Sequence, residues 1–125
     1  MRAISIALMI VWIAVASVVW AGNAAVTQTI SSSPPTAGTW TSSISPTYPA
    51  TKQSGYLNIS IYGASWSATV TLQRSFDSGT TWFDVTTWTA NSEQWLKDEE
   101  HGVLYRLGVK NGAYTTGSVA VRLSN

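Results

Sequence analysis

The sequence predicts an all-β domain, an antiparallel sandwich of two packed sheets. Two observations support this fold. From residue 56 onward, apolar and polar residues alternate with the period of two that half-buried strands show. Turn-forming residues recur about every ten positions, a spacing typical of short antiparallel strands. The 125 residues leave room for one such domain and a targeting or anchoring segment.

The N-terminal segment, residues 1–22, is hydrophobic. Arg2 is followed by an apolar stretch that only Ser5 and Ser17 interrupt, and then by small residues. This is the order of a secretory signal peptide. About 18 residues in a helix would also span about 27 Å, close to the roughly 30 Å of a bilayer core. We expect a helix that is a signal peptide or a membrane anchor, with residues 23–125 outside the cytoplasm. A buried assembly arm or a mis-assigned start codon would also account for such a segment.

Residues 23–55 are rich in Ser, Thr and Pro and contain all four prolines. Because proline lacks the N–H group that a central strand needs, this segment is predicted to be an extended arm. It is expected to contain at most one edge strand, at residues 26–30. The arm either packs across its own domain, packs across a neighbour, or is a flexible spacer.

The remainder, residues 56–125, is the predicted sandwich domain. Alternating apolar residues predict strands at residues 57–62, 68–73, 81–88, 103–109 and 119–123. Turn residues separate them at positions 63–64, 78–79, 111–112 and 117. We therefore expect five or six short strands.

Composition excludes several classes of function. Seven Lys and Arg residues face six Asp and Glu residues without clustering, so the sequence does not indicate a nucleic-acid-binding protein. The absence of Cys removes disulfides, thiolate catalysis and Cys-based zinc sites. Stability must come from packing, for which seven Trp and five Tyr residues provide large apolar areas.

Residues 75–82 match the Asp-box pattern S-x-D-x-G-x-T-W at each fixed position. The fixed residues are Ser75, Asp77, Gly79, Thr81 and Trp82. An Asp carboxylate can accept backbone N–H groups across a tight turn, and Gly tolerates the backbone conformation that such a turn requires. The pattern resembles the box repeated in sialidases and other propellers, where it lies away from the catalytic site. With a single copy, we expect a structural hairpin in which Trp82 packs as a buried aromatic.

A second structural motif lies at Gly102 and Tyr105. This spacing resembles the tyrosine corner of immunoglobulin and fibronectin type III sandwiches, in which the hydroxyl ties a loop to the strand that follows. The expected fold is therefore an immunoglobulin-like or jelly-roll-type sandwich, preceded by the hydrophobic helix.

The sequence indicates no catalytic residue, metal site or cofactor. His101, the single His, is interpreted as a loop residue. The acidic run 98–100 lacks the spaced oxygen ligands of a calcium loop and is interpreted as a solvated turn. Asp77 is assigned to the Asp box, which argues against pairing it with Asp84 as two glycosidase carboxylates. We therefore do not expect an enzyme.

Tryptophans are the candidate contact surface. Exposed Trp residues stack on sugar rings or anchor protein interfaces, although each can equally belong to the core. The candidates are Trp40, Trp66, Trp88 and Trp95.

Several stretches together are similar to small tailed-bacteriophage virion proteins. These are residues 57–61, 70–82, 102–107 and 121–124, so that the resemblance covers roughly residues 56–125. It implies a non-catalytic β-sandwich displayed on a phage head or tail.

Two functions are therefore expected. The first is a virion surface component, a decoration or accessory protein whose partners are subunits of its own kind or of the capsid or tail. The second is an exported or membrane-anchored sandwich that binds carbohydrate, such as a cell-surface glycan, or protein. Membrane contact would occur through residues 1–22.

Overall fold

The computed structural model describes residues 24–46 and 55–125. Within these ranges the chain forms eight strands and no helix long and apolar enough to span a membrane. The strands are β1 (Ala25–Ile30), β2 (Thr39–Trp40), β3 (Tyr56–Tyr62), β4 (Trp66–Ser75), β5 (Phe83–Trp88), β6 (Ser92–Lys97), β7 (Leu104–Gly117) and β8 (Val119–Ser124). The hydrophobic helix predicted over residues 1–22 lies outside the described residues.

The strands form two four-stranded antiparallel sheets that pack as a sandwich, which confirms the predicted all-β architecture. Sheet A has the order β1-β8-β3-β6, and sheet B has the order β2-β7-β4-β5. Each strand of the first half pairs with its mirror image in the second half, β1 with β8, β2 with β7, β3 with β6 and β4 with β5. The chain therefore resembles one long hairpin, rolled so that successive strand pairs alternate between the sheets.

The core lies between the inner faces of the two sheets. Leu57, Ile59 and Ile61 of β3 are at most 2% exposed, as their alternation with polar residues predicts. Leu72 and Leu107 meet them from sheet B with no exposed area. Each such side chain contributes about 1.5–3 kcal/mol by leaving water.

The described part of the arm packs across its own domain. β1 forms the edge of sheet A close to where the sequence predicted an edge strand, but β2 adds a second strand at the edge of sheet B. The expectation of at most one strand was therefore wrong. Ile30 and Ile44 enter the core, 2% and 4% exposed. Asn125 fastens the arm because its Oδ1 accepts the N–H of Ala24 at 2.8 Å and its Nδ2 donates to Ser45 O at 2.7 Å.

Strand β6 was not predicted. Its residues Ser92–Lys97 place polar side chains on both faces, with Trp95 among them on the outer face and only Leu96 packed against the core, so the alternation is weak. It is recognised only through its pairing with β3 at the edge of sheet A.

The turn predicted at residues 111–112 was also wrong, because β7 continues through it to Gly117. Residues 110–113 of β7 instead face the single residue Thr69 of β4, between the pairs Val109–Val70 and Tyr114–Ala68. This large bulge carries Lys110 and Asn111 outward from sheet B.

Candidate functional site

The Asp-box residues form a hydrogen-bonded turn between β4 and β5. Asp77 Oδ1 accepts the Ser75 hydroxyl at 2.7 Å and the Thr81 backbone N–H at 2.8 Å. Ser75 Oγ accepts the N–H of Gly79 at 2.9 Å, and Gly79 has φ of 87°, where a side chain would be strained. The Thr81 and Ser75 hydrogen bonds lower the pKa of Asp77 to about 2.

Trp82 lies on the outer face of sheet B and does not enter the core. A Cβ atom added to Gly79 would lie 3.3 Å from the indole, so Trp82 does pack against the hairpin as expected. The ring is nevertheless half-buried, and it covers Arg106 on β7, with 4.2 Å between the guanidinium carbon and the ring centroid. The expectation of a fully buried aromatic was wrong because the turn folds the indole outward over the sheet.

A second indole covers Arg106 from the arm. The guanidinium carbon lies 4.3 Å from the centroid of the Trp40 ring, so Arg106 contacts both Trp40 and Trp82, and we term these three residues the Arg106 stack. The backbone of β2 reaches this position because Gly108 has no side chain. A Cβ there would lie 2.0 Å from Thr39 O.

A chain of polar contacts continues from the stack. Arg106 Nε donates to Gln73 Oε1 at 2.9 Å, and Gln73 Nε2 donates to Asp84 Oδ1 at 2.8 Å. Asp84 Oδ2 forms an ion pair with Lys110, and the Lys110 and Gln73 hydrogen bonds lower the pKa of Asp84. Burial lowers the pKa of Arg106.

The Arg106 stack borders an open cavity of about 330 Å³. Its lining comprises Thr36, Ala37, Gly38, Trp40, Gln73, Arg106, Lys110 and Asn111. The loop wall is held in place because Asn111 Nδ2 donates to Pro34 O at 2.9 Å and Trp40 Nε1 donates to Ala37 O at 2.8 Å. Sequence reasoning missed this site because its residues come from three distant segments.

The predicted tyrosine corner has a side-chain acceptor. The hydroxyl of Tyr105 donates to Asp98 Oδ2 at 2.7 Å, which ties β7 to the loop that precedes it. Burial, together with the Asp98 carboxylate, raises the pKa of Tyr105 to about 12. Gly102, in the turn between them, has φ of 82°. The first residue of the acidic run therefore has a structural contact, and Glu99 is ion-paired with Lys97 at 2.8 Å.

The four candidate contact tryptophans do not form one surface. Trp40 belongs to the Arg106 stack. Trp66 is half-buried at the start of β4 and donates to Asn91 Oδ1 at 2.8 Å, and Trp88 packs against the core from β5. Only Trp95, in the middle of β6, is open to solvent, with 66% of its surface exposed.

Trp95 is accompanied by aromatic residues that sequence reasoning did not select. Tyr56, 38% exposed, meets the Trp95 ring edge-on at 5.4 Å, and Tyr62 further along β3 is 50% exposed. Asn58 pairs with Trp95 in the sheet register, and Ser60 donates to Glu93 Oε2 at 2.6 Å. We call this outer surface of sheet A the Trp95 face. The sequence could have indicated this face, because Tyr56 and Tyr62 occupy outward positions in the alternating pattern of β3.

The carboxylates weighed as a catalytic pair have separate structural contacts, Asp77 in the hairpin and Asp84 with Lys110. His101 is exposed in a turn. Within residues 24–46 and 55–125, no group of three or more His, Asp or Glu side chains is arranged to hold a metal ion. Comparisons with protein-family models, curated proteins and solved structures find no match to this chain.

Proposed function

We propose that this protein is a non-enzymatic structural and interaction protein that contacts its partner through the Trp95 face. The observation that carries the proposal is the 66% exposure of Trp95, flanked by exposed tyrosines on the face of the sandwich away from the core. Trp and Tyr are enriched at protein interfaces because their large rings lose little conformational entropy when covered. A ring left open to water beside Tyr56 is suited to this use.

We further infer that the sandwich is a jelly roll rather than an immunoglobulin-like domain. A jelly roll has eight strands in two four-stranded sheets. It can be described as one long antiparallel hairpin that is rolled up, which is the arrangement of this chain. The orders β1-β8-β3-β6 and β2-β7-β4-β5 support this assignment. An immunoglobulin-like sandwich instead pairs its last strand with the strand before it, whereas here β8 pairs with β1 and β3.

The setting that we propose is the virion of a tailed bacteriophage, with subunits of the same kind or of the capsid or tail as partners. Two arguments support it. One is the resemblance, inferred from the sequence motifs within residues 56–125, to small tailed-bacteriophage virion proteins. The other is the inferred jelly roll, an architecture that viral capsid domains use, which is support by analogy.

The second candidate function is an exported or membrane-anchored module that binds carbohydrate or protein. The hydrophobic segment 1–22 favours export or anchoring. The Trp95 face also suits sugar, since Asn58 and Ser60 place hydrogen-bonding groups beside an aromatic ring. Lectin domains likewise include jelly rolls.

The test is to fractionate a producing culture on a density gradient and to measure the intact mass of the chain in each fraction. We expect the uncleaved chain to migrate with particles. In particles assembled with Trp95→Ala, we expect the occupancy of the chain to fall at least about tenfold, as loss of an interface anchor predicts.

Phe76→Ala is the matched control, because Phe76 is likewise an exposed aromatic residue, at 50%, but lies on the Asp-box hairpin. It should leave the occupancy unchanged. A chain that lacks its first 21 to 24 residues and occurs in the medium or periplasm would contradict the virion setting and support the second function. Full occupancy with Trp95→Ala would contradict the contact role of the Trp95 face.

A further inference from the structure

The open cavity beside the Arg106 stack, which we call the Arg106 cavity, lies on the opposite outer face of the sandwich from Trp95. Its chemical character differs from that of the Trp95 face. It is bounded by a clamped guanidinium, a glutamine, a lysine and an asparagine rather than by open aromatic rings. Its volume of about 330 Å³ is at the lower end of the range for small-molecule sites.

Among the residues that the structure describes, Arg106 has no carboxylate partner. Two ion pairs occur within the described ranges, Lys97 with Glu99 and Lys110 with Asp84, and neither includes Arg106. The nearest acid in the network, Asp84, is separated from Arg106 by Gln73, which accepts from one and donates to the other. A partly buried cation without a counter-charge is costly, and an anion from outside would offset that cost.

The two indoles determine which part of the guanidinium a ligand can reach. Both ring centroids lie close to its central carbon, at 4.3 Å and 4.2 Å, and Nε is occupied by Gln73. The remaining edge carries the Nη groups, whose parallel N–H bonds match the two oxygens of a carboxylate. The two indole contacts and the bond from Nε to Gln73 together restrict the movement of the guanidinium.

The rest of the cavity suits a small polar molecule that carries such an anion. Lys110, ion-paired with Asp84, lies at the rim as a hydrogen-bond donor, and Asn111 and Thr36 add neutral polar groups. The bulge of β7 places Lys110 and Asn111 there, and the bond from Asn111 to Pro34 O holds the loop opposite.

From these contacts we propose that the Arg106 cavity binds a small carboxylate-bearing molecule of monosaccharide size, with the carboxylate on the free edge of Arg106. The proposal does not depend on the function of the Trp95 face. It assigns to the Asp-box hairpin a second role, because that turn places Trp82 on the arginine.

The test is titration of the full-length, ¹⁵N-labelled chain with D-glucuronate, observed by NMR at the Arg106 Nε–H and the Trp40 and Trp82 indole N–H signals. Glucose is the matched neutral probe, since it differs only in having a hydroxymethyl group in place of the carboxylate. We expect saturable shifts with glucuronate and none with glucose. Equal responses to the two sugars would overturn the proposal.

Substitutions at Arg106 and on the opposite sheet test where the carboxylate of glucuronate binds. Arg106→Lys should weaken glucuronate binding at least about tenfold, the loss of one charge-assisted hydrogen bond. Arg122→Lys, on the outer face of sheet A, and Trp95→Ala should leave the affinity unchanged. Undiminished binding by Arg106→Lys would contradict the assignment.

A further variant pair keeps the test informative if Arg106→Lys does not fold. Thr36 is exposed and lines the cavity without belonging to the stack. Thr36→Glu should weaken glucuronate binding roughly fivefold relative to Thr36→Gln, through repulsion of the carboxylate. Equal affinities of the two variants would overturn the proposal. Tighter binding of glucose 6-phosphate than of glucuronate would replace the carboxylate by a phosphate and so contradict the stated ligand class.

Discussion

The two outer faces of the sandwich use the same residue types in opposite ways. On sheet A, Trp95 is open to water beside a strand whose outward side chains carry only short polar groups between its tyrosines. On sheet B, Trp40 and Trp82 arrive from the arm and from the Asp-box turn and close over Arg106. The exposure of a tryptophan on these faces therefore depends on whether a connecting segment folds back over the sheet.

Truncating the stack tests the closed face and has the largest expected effect. Trp82→Ala should lower the free energy of unfolding by about 2 kcal/mol, since it removes cation–π contact and partial burial. The loss should be smaller than the roughly 3–5 kcal/mol typical of a fully buried aromatic. Chemical denaturation measures it. A loss below about 0.5 kcal/mol, the range of ordinary surface substitutions, would show that the stack does not hold the hairpin.

Removing the Tyr105 hydroxyl tests how β7, the strand that carries Arg106, is held to the loop that follows β6. Tyr105→Phe should cost about 1–2 kcal/mol, because the Asp98 carboxylate loses a donor in a partly buried setting. Tyr114→Phe is the control, since the Tyr114 hydroxyl bonds the Gly117 carbonyl at an exposed position. Equal melting temperatures for Tyr105→Phe and the parent would eliminate the corner as a stabilising contact.

Acidification tests the turn that carries Trp82. The pKa of Asp77 is lowered from 3.8 to about 2 in the folded chain. Its contribution to stability is therefore present above about pH 4 and is lost as the pH falls toward 2. Asp77→Asn should flatten this part of the stability profile between pH 5 and 2. An unchanged slope in denaturation measured across that range would place the acid sensitivity elsewhere.

The smallest effect on stability is expected at the open face. Trp95→Ala should change the free energy of unfolding by no more than about 0.5 kcal/mol, because most of the ring is already in water. A loss comparable to that of Trp82→Ala would mean that the Trp95 ring supports the fold. It would then no longer be free to serve a partner.

The structural features that depend on a local sequence pattern could be predicted from the sequence. The alternation of Leu57, Ile59 and Ile61 predicted the core face of β3, and the Asp-box spacing predicted the carboxylate's contacts because they span only a few residues. It did not reveal the Arg106 stack, whose members lie at positions 40, 82 and 106 and meet only after both sheets form.

The sequence also failed to predict two edge strands, β2 and β6. β2 has two residues and β6 has one partner strand and polar side chains on both faces, so neither produces an alternating pattern. Trp95 therefore belonged to none of the predicted strands, although β6 places it in the middle of an edge strand. Trp95 is exposed because it pairs with Asn58, an outward-facing residue of β3, and the sequence does not reveal this pairing.

The most direct test of the difference between the faces is the order in which the tryptophans react. Limited oxidation of the full-length chain with N-bromosuccinimide, followed by peptide mass spectrometry, reads each indole separately. Among the five tryptophans that the structure describes, we predict that Trp95 is oxidised first and that Trp40 and Trp82 react only later, because Arg106 lies against both rings. Oxidation of Trp40 or Trp82 as early as Trp95 would contradict the division into an open and a closed face.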